Sequence, residues 1–310
     1  MPSSPSSRAE LVTVVCLATL YVVWGSTYLA MRVAIGSFPP LAMASGRFIA
    51  AGGLLYLLLR ARGVAPPTPR EWGSCAAIGV LVMGVGLGGA AMAMAHVSSG
   101  LAALVFGSVP VWTALFERMF GARLRAREAA GMVLAFAGIT LVATRGQLRA
   151  EPLAAVQLCT AAATYAFGCV LQRRLPQPRG GMSTAAQMLV GGLALGVASL
   201  VRGERLPTHA SLASIVALAH LVVFGSMVAY SALNHLLRTA RASLATSYAF
   251  VNPIVALGLG ALVAGEHVGR TELVAVGLVV AGVAVVASAS FRGLSTRPAL
   301  GKLKLSASQP

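Results

Sequence analysis

The stretch SLATSYAFVNPIVALGLGALVAGE, residues 243–266, decides how this chain is organised. It is apolar and long enough to cross a bilayer, yet Pro253 stands near its middle. A proline inside a helix removes one hydrogen bond, here to the carbonyl of Ala249, and its ring clashes with that carbonyl. Lipid cannot satisfy the freed carbonyl, so the break must face protein or a wet cavity. We predict a bend or opening here, beside the polar side chains of Ser247, Tyr248 and Asn252; a kink that only aids packing is the alternative.

A second copy of this stretch lies 143 residues earlier. The matches keep the same order along the chain, and from Gly121 onward the separation is 144 residues instead of 143. Farther upstream, Trp24-Gly25 and Phe167-Gly168 are again 143 residues apart. The matched pairs include Leu101 with Leu244, Ala102 with Ala245, Pro110 with Pro253, Gly121 with Gly265, and Glu128 with Glu272. The sequence therefore predicts two related halves, residues 11–146 and 147–290.

The composition indicates a membrane protein. Of the 310 residues, 57% are hydrophobic and 10% are charged, and the mean hydropathy is +0.81. Soluble domains carry about 25% charged residues, and the apolar runs of this chain are long enough for bilayer spans. The net charge of +16 does not indicate nucleic acid, because the basic residues lie in short loops between apolar runs.

We predict an all-α polytopic membrane protein with ten transmembrane helices, five in each half. Residues 1–10 are expected to form a disordered tail, and residues 291–310 a basic cytoplasmic tail. The predicted spans are about 11–34, 41–59, 72–95, 98–116, 128–144, 152–172, 182–201, 212–237, 243–264 and 271–289.

The distribution of basic residues predicts the orientation. With the N-terminus inside, seventeen Lys and Arg residues fall in inner segments and six in outer ones, while Arg47 lies within a span. The positive-inside rule therefore predicts that both termini are cytoplasmic. Because each half has five spans, the second half enters the membrane inverted relative to the first.

Inverted repeats with broken helices at matching positions are typical of alternating-access sites near the bilayer midplane. Pro110 and Pro253 are the candidate hinge pair. The residues expected to bind substrate are polar or aromatic side chains of four spans: Trp24, Thr27, Phe106, Trp112, Tyr165, Tyr248 and Asn252. For each aromatic side chain, ordinary packing is the alternative.

Arg47 is the most unfavourable side chain to place in the membrane. A charge near the bilayer centre costs at least roughly 2.5–3.5 kcal/mol on insertion scales, so we expect Arg47 to face the bundle. It either has a structural role, with backbone carbonyls as partners, or binds an anionic group. No Asp or Glu lies near the centre of a span, which argues against a carboxylate relay and favours facilitated diffusion or a coupling group of another kind.

Motifs for catalysis and for metal binding are missing from the sequence. There is no GxxxxGK[ST], no HExxH and no nucleophile elbow, and the four cysteines show no metal-ligand spacing. We therefore expect no enzyme activity, no metal, no cofactor and no ATPase motor in this chain.

Three segments carry a resemblance to a known family: WGSTYLAMR (24–32), SGRFIAAGGLL (45–55) and the run at 242–266, which is followed by Gly277 and Gly282. Over residues 11–290 the chain resembles the EamA family of the drug/metabolite transporter superfamily, as two EamA repeats. One departure is that the first repeat has Gly121-Ala122 where the family pattern has Gly-Glu.

The resemblance implies ten helices in the inner membrane and export or exchange of small metabolites, often amino acids or related compounds. It also implies a cavity between the two halves. The expected partners are a small-molecule substrate and the lipid bilayer, with no nucleic acid, and the chain is either a monomer or a homodimer. The alternatives are a non-transporting membrane sensor or assembly protein and, with less support, an enzyme acting on lipid.

Overall fold

A computed structural model describes residues 7–121, 126–145, 152–239, 248–265 and 268–294, and over these ranges every regular element is a helix. The first helix begins at Ser7, inside the segment predicted as a tail, and the last ends at Leu294. In chain order the helices are α1 (residues 7–34), α2 (Pro40–Ala61), α3 (Pro69–Ala93), α4 (Ser99–Met119), α5 (Ala126–Arg145), α6 (Pro152–Gln172), α7 (Gly181–Val201), α8 (residues 212–239), α9 (Tyr248–Ala264) and α10 (Arg270–Leu294).

Seven of these helices are long and apolar enough to cross a membrane: α1, α2, α3, α4, α6, α7 and α8. Helices α5 and α9 contain shorter apolar stretches, Ala129–Leu141 and Val251–Val263. Large apolar side chains cover the outside of the bundle; Val201 and Leu262, for example, are more than four-fifths exposed. The predicted all-helical membrane fold is therefore confirmed, while the count of ten spans stays a prediction. Residues 243–247 and 266 of the stretch quoted above lie outside the described residues.

The main helix contacts join the first five helices to the last five. Helix α2 packs on α7, α4 on α9 and α5 on α10, while α3 packs on α6 and α1 on α8. The set is unchanged when each helix is replaced by its counterpart in the other half, α1 by α6, α2 by α7 and so on. The first three pairs then become themselves, and the last two become each other. The packing is therefore that of two related halves placed against one another.

Two of these pairs are in backbone contact. A β-carbon added to Gly52 of α2 would lie 2.9 Å from the backbone nitrogen of Leu189 in α7. A β-carbon on Gly282 of α10 would lie 2.5 Å from the carbonyl oxygen of Gly131 in α5. Glycine permits this close approach, so the α2–α7 and α5–α10 pairs are fixed at backbone distance.

The two predicted proline breaks differ in the structure. Helix α4 is interrupted by a turn at Ser108, two residues before Pro110, and the buried Ser108 hydroxyl donates to the Val105 carbonyl at 2.6 Å. Helix α9 continues through Pro253 without interruption. The bond that Pro253 removes would have ended on the carbonyl of Ala249.

Three π-helical segments lie inside the long helices: Leu20–Trp24 in α1, Val80–Gly88 in α3 and Leu221–Val228 in α8. The segments of α3 and α8 begin 141 residues apart, at corresponding places in the two halves. A π-segment accommodates an extra residue and changes which backbone carbonyls are bonded within the helix, and such segments are frequent at functional sites.

Candidate functional site

Six aromatic side chains from five helices meet in the middle of the bundle, and we call them the central aromatic cluster: Trp24, Tyr28, Phe106, Tyr165, Tyr230 and Tyr248. The Trp24 ring lies 5.2 Å from Tyr230 and 4.7 Å from Tyr248, both edge-to-face. The Phe106 ring lies 6.4 Å from Tyr28 and 5.9 Å from Tyr165. Edge-to-face pairs of this kind are favourable, so they fix the rings relative to one another.

The cluster is not sealed. Trp24, Phe106 and Tyr230 are buried, but Tyr28 and Tyr248 remain partly accessible although protein surrounds them. Partial accessibility inside a bundle requires space beside the side chain. The tyrosine hydroxyls make this space polar as well as aromatic.

The π-segment of α8 binds Trp24 and Arg47 through two consecutive residues. The indole nitrogen of Trp24 donates to the Gly225 carbonyl at 3.1 Å. Arg47 Nε donates to the Ser226 hydroxyl at 3.0 Å. The distortion of α8 therefore provides both the carbonyl and the hydroxyl that position these side chains.

Thr27 lies beside this contact. Its hydroxyl donates to the Trp24 carbonyl at 2.7 Å, and its side chain is buried. A β-carbon on Gly225 would lie 2.8 Å from the Thr27 methyl carbon, so Thr27 packs directly on the π-segment. The predicted residues Trp24 and Thr27 thus share one site with Arg47.

Arg47 is buried, with 5% of its surface exposed. Its guanidinium carbon lies 4.9 Å above the centre of the Phe48 ring, and the group is within electrostatic range of Tyr28 and Tyr230. The prediction that Arg47 faces the bundle agrees with this placement.

His220 is hydrogen-bonded to its neighbour on α1. Its Nε2 lies 3.0 Å from the Ser26 hydroxyl oxygen, and that oxygen also lies 2.8 Å from the Val23 carbonyl oxygen. Both contacts are satisfied together when Ser26 donates to Val23 and accepts from a hydrogen on Nε2.

Asn252 lies on the same face of α9 as Tyr248 and Val255, at helical spacing. Tyr248 contacts Trp24, and Val255 lies against Gly25, so this face points to α1. The side chain is 6% exposed, and its Oδ1 has no hydrogen-bond partner among the described residues. A buried acceptor without a partner is unfavourable, and a donor from a bound molecule would satisfy it.

Trp112 lies apart from the central aromatic cluster. Its ring packs 5.0 Å from Phe136 and 6.3 Å from Phe116. The turn at Ser108 lies between Phe106 and Trp112, and Trp112 contacts Phe136 of α5 instead of the cluster. It lines an apolar groove of about 590 Å³ among α3, α4 and α6, together with Phe116, Val156, Thr160 and Phe167.

Sequence reasoning left Tyr28, Ser226 and Tyr230 out of the expected site. The signal for two of them was a polar pair at i and i+4, Ser226 and Tyr230, which faces one side of an otherwise apolar helix. Nothing in the sequence marks the π-segment that turns them toward Trp24 and Arg47.

The model of the EamA-like transporter family matches residues 11–144 and 152–288. The chain belongs to the EamA-like transporter family. The two matches cover most of the chain, one for each half.

Among relatives in this family, the uncharacterized inner membrane transporter YedA of Escherichia coli K12 is 40% identical over 271 residues, covering 87% of this chain and 89% of YedA. An uncharacterized transporter of Synechocystis is 24% identical over 277 residues and covers 81% of this chain. A chloroplastic WAT1-related protein of Arabidopsis thaliana is 24% identical over 273 residues.

The EamA-like fold is also seen in a solved crystal structure. Its TM-score is 0.63 at 19% sequence identity, and the match covers 93% of this chain and 99% of the other. At this identity the likeness shows the fold alone.

Proposed function

We propose that this chain is a carrier that exports or exchanges small metabolites, by alternating access of the central aromatic cluster to the two sides of the inner membrane. The observation that carries the proposal is that three tyrosines of the central aromatic cluster, Tyr28, Tyr165 and Tyr248, stay partly accessible between two related halves. A non-transporting bundle would fill its centre with close-packed aliphatic side chains.

The proposed topology has ten spans in two inverted repeats, with both termini in the cytoplasm. The excess of basic residues in the inner segments supports this orientation. The proposed hinge positions are Pro110, beside the turn at Ser108, and Pro253 in α9. In this arrangement the site opens alternately as the two halves rock.

Amino acids and related compounds are the substrate class that we propose first. Asn252 Oδ1 can accept a hydrogen bond from an ammonium or hydroxyl group. The faces of Trp24 and Tyr248 attract cations and pack against apolar side chains. These groups suit a small molecule that has both a polar and an apolar part.

Counterflow in proteoliposomes tests the proposal. Liposomes that contain purified full-length protein are loaded with a pool of amino acids and common metabolites, and the compounds that exchange are identified. We expect saturable exchange of one class, reduced roughly tenfold or more by Trp24→Ala, since buried aromatic contacts dominate binding. Trp72→Ala is the control, because Trp72 packs on Tyr56 away from the cluster. No exchange by folded protein across the whole pool would count against a carrier.

A further inference from the structure

Arg47 carries a positive charge that the described protein does not neutralise. Only its Nε has a hydrogen-bond acceptor, the Ser226 hydroxyl; its two terminal amino groups have none among the described residues. The ion pairs found in the described part of the chain join Glu117 to Arg173 and Arg174, at the ends of α4 and α6. Within these ranges no carboxylate reaches Arg47.

A buried charge without a counter-charge is strongly unfavourable. Helices α1 and α8 pack beside Arg47, and the groups that they bring within range carry no negative charge: Ser226, Tyr28, Tyr230 and His220. The ring of Phe48 covers one face of the guanidinium, and the two terminal amino groups form an edge with no hydrogen-bond acceptor among the described residues. An edge with paired N–H donors matches the two oxygens of a carboxylate.

We propose that Arg47 binds the carboxylate of the transported molecule, so that the substrates are small organic acids, amino acids included. This inference rests on the proposed function and restricts the substrates of the carrier to molecules that have a carboxylate. Ser226 holds the guanidinium through Nε, and the terminal amino groups, one of which lies beside Gly225, are left to bind the ligand. Tyr28 and Tyr230 lie within electrostatic range of the guanidinium, and the Tyr230 hydroxyl contacts Met83 Sδ at 3.9 Å.

The first test measures binding at Arg47 itself. Full-length protein in phosphatidylcholine liposomes is treated with phenylglyoxal, and modification of Arg47 is quantified by mass spectrometry. The probes are a mixture of L-amino acids, the corresponding amino acid amides, and inorganic phosphate. We expect the amino acids to protect Arg47 and the amides to leave it reactive. Protection by phosphate alone, or equal protection by acids and amides, would overturn the proposal.

The second test measures exchange of the same mixtures. We expect amino acids to exchange, and we expect the exchange rate of the amides to be at least roughly thirtyfold lower. Removing one partner of a buried charge pair weakens binding to about this extent. Arg47→Gln should show the same loss for acids, and Arg47→Lys an intermediate one, because lysine keeps the charge without the fork. Arg62→Gln, an exposed arginine at the end of α2, is the control.

Protection of Arg47 tests the carboxylate site, and exchange tests the carrier function. Protection of Arg47 without exchange would support the carboxylate site and count against a carrier. Exchange of amides or amines without protection would support a carrier and overturn the carboxylate site, as would unchanged acid exchange in Arg47→Gln. If the Arg47 variants do not fold, protection of the wild-type protein still decides.

Discussion

Gly225 and Ser226 show how much of the candidate site depends on single residues. One offers a carbonyl to Trp24 and the next a hydroxyl to Arg47, so two side chains from α1 and α2 are held by neighbouring positions of α8. In a regular helix the Gly225 carbonyl would be bonded four residues onward, to the amide of Ala229. The π-segment changes this pattern, and the indole nitrogen of Trp24 donates to the Gly225 carbonyl.

His220 gives a prediction at the same scale. In His220→Gln the amide nitrogen can still donate to Ser26, whereas His220→Leu leaves the Ser26 oxygen without its donor. We expect the leucine variant to lose about 1 kcal/mol of stability, the usual contribution of one hydrogen bond, and the glutamine variant to lose less. Thermal unfolding in detergent measures the difference. Equal midpoints for both variants would contradict a stabilising hydrogen bond between His220 and Ser26.

At the scale of helices, the contact of α5 with α10 depends on glycine. Gly282 lies against the α5 backbone, and Gly138 of α5 lies 2.8 Å, measured from an added β-carbon, from the Ala275 carbonyl oxygen. Gly138 and Gly282 are 144 residues apart, the same separation as Gly121 and Gly265 in the two halves. The repeat therefore predicts which glycines the packing needs.

Gly282→Val and Gly277→Val test this contact on a single helix. Valine at 282 would meet the backbone of α5, and overpacking of this kind costs typically 1–3 kcal/mol. A β-carbon added at Gly277 would have no other atom within 4 Å. We expect a lower unfolding temperature and lower membrane abundance for the first variant and near wild-type values for the second. Equal stability of the two would mean that α5 and α10 are not in backbone contact.

Sequence reasoning predicted the helices better than it predicted their irregularities. Hydropathy located the helices because bilayer thickness fixes their length. The break at Ser108, the continuity through Pro253 and the three π-segments follow from local bonding and from neighbouring helices, which a single sequence does not display. The same limit applies to the site: Trp24, Phe106, Tyr165 and Tyr248 were predicted and do meet, whereas Trp112 contacts Phe136 of α5 instead.

At the scale of the whole molecule, the two halves hold each other's helix ends. Glu204, between α7 and α8, accepts hydrogen bonds from the backbone amides of Leu41 and Ala42 at 3.3 and 2.8 Å, and so caps α2. A carboxylate at a helix N-terminus is favourable both as an acceptor and through the helix dipole. The start of α2 thus depends on the second half of the chain.

Reporter fusions test the orientation of the molecule. We expect a fusion at Arg179, between α6 and α7, to read cytoplasmic, and a fusion at Glu204 to read external, because the basic residues concentrate on the former side. An alkaline phosphatase reporter is active only outside and a fluorescent protein only inside, so each position is read twice. The reverse pattern at both positions would exclude the inverted arrangement.

The backbone contacts of α2 with α7 and of α5 with α10 make these two helix pairs rigid units within the bundle. Where main chains touch, no layer of side chains can slide or re-form, so separating either pair would open an empty seam. The α1, α4, α6, α8 and α9 helices meet through aromatic rings as well as through the contacts of Gly25 and Gly225, and the rings can change their contacts by rotating. A passage through this molecule would therefore open between two fixed walls, and its width would be set by the rings rather than by the walls.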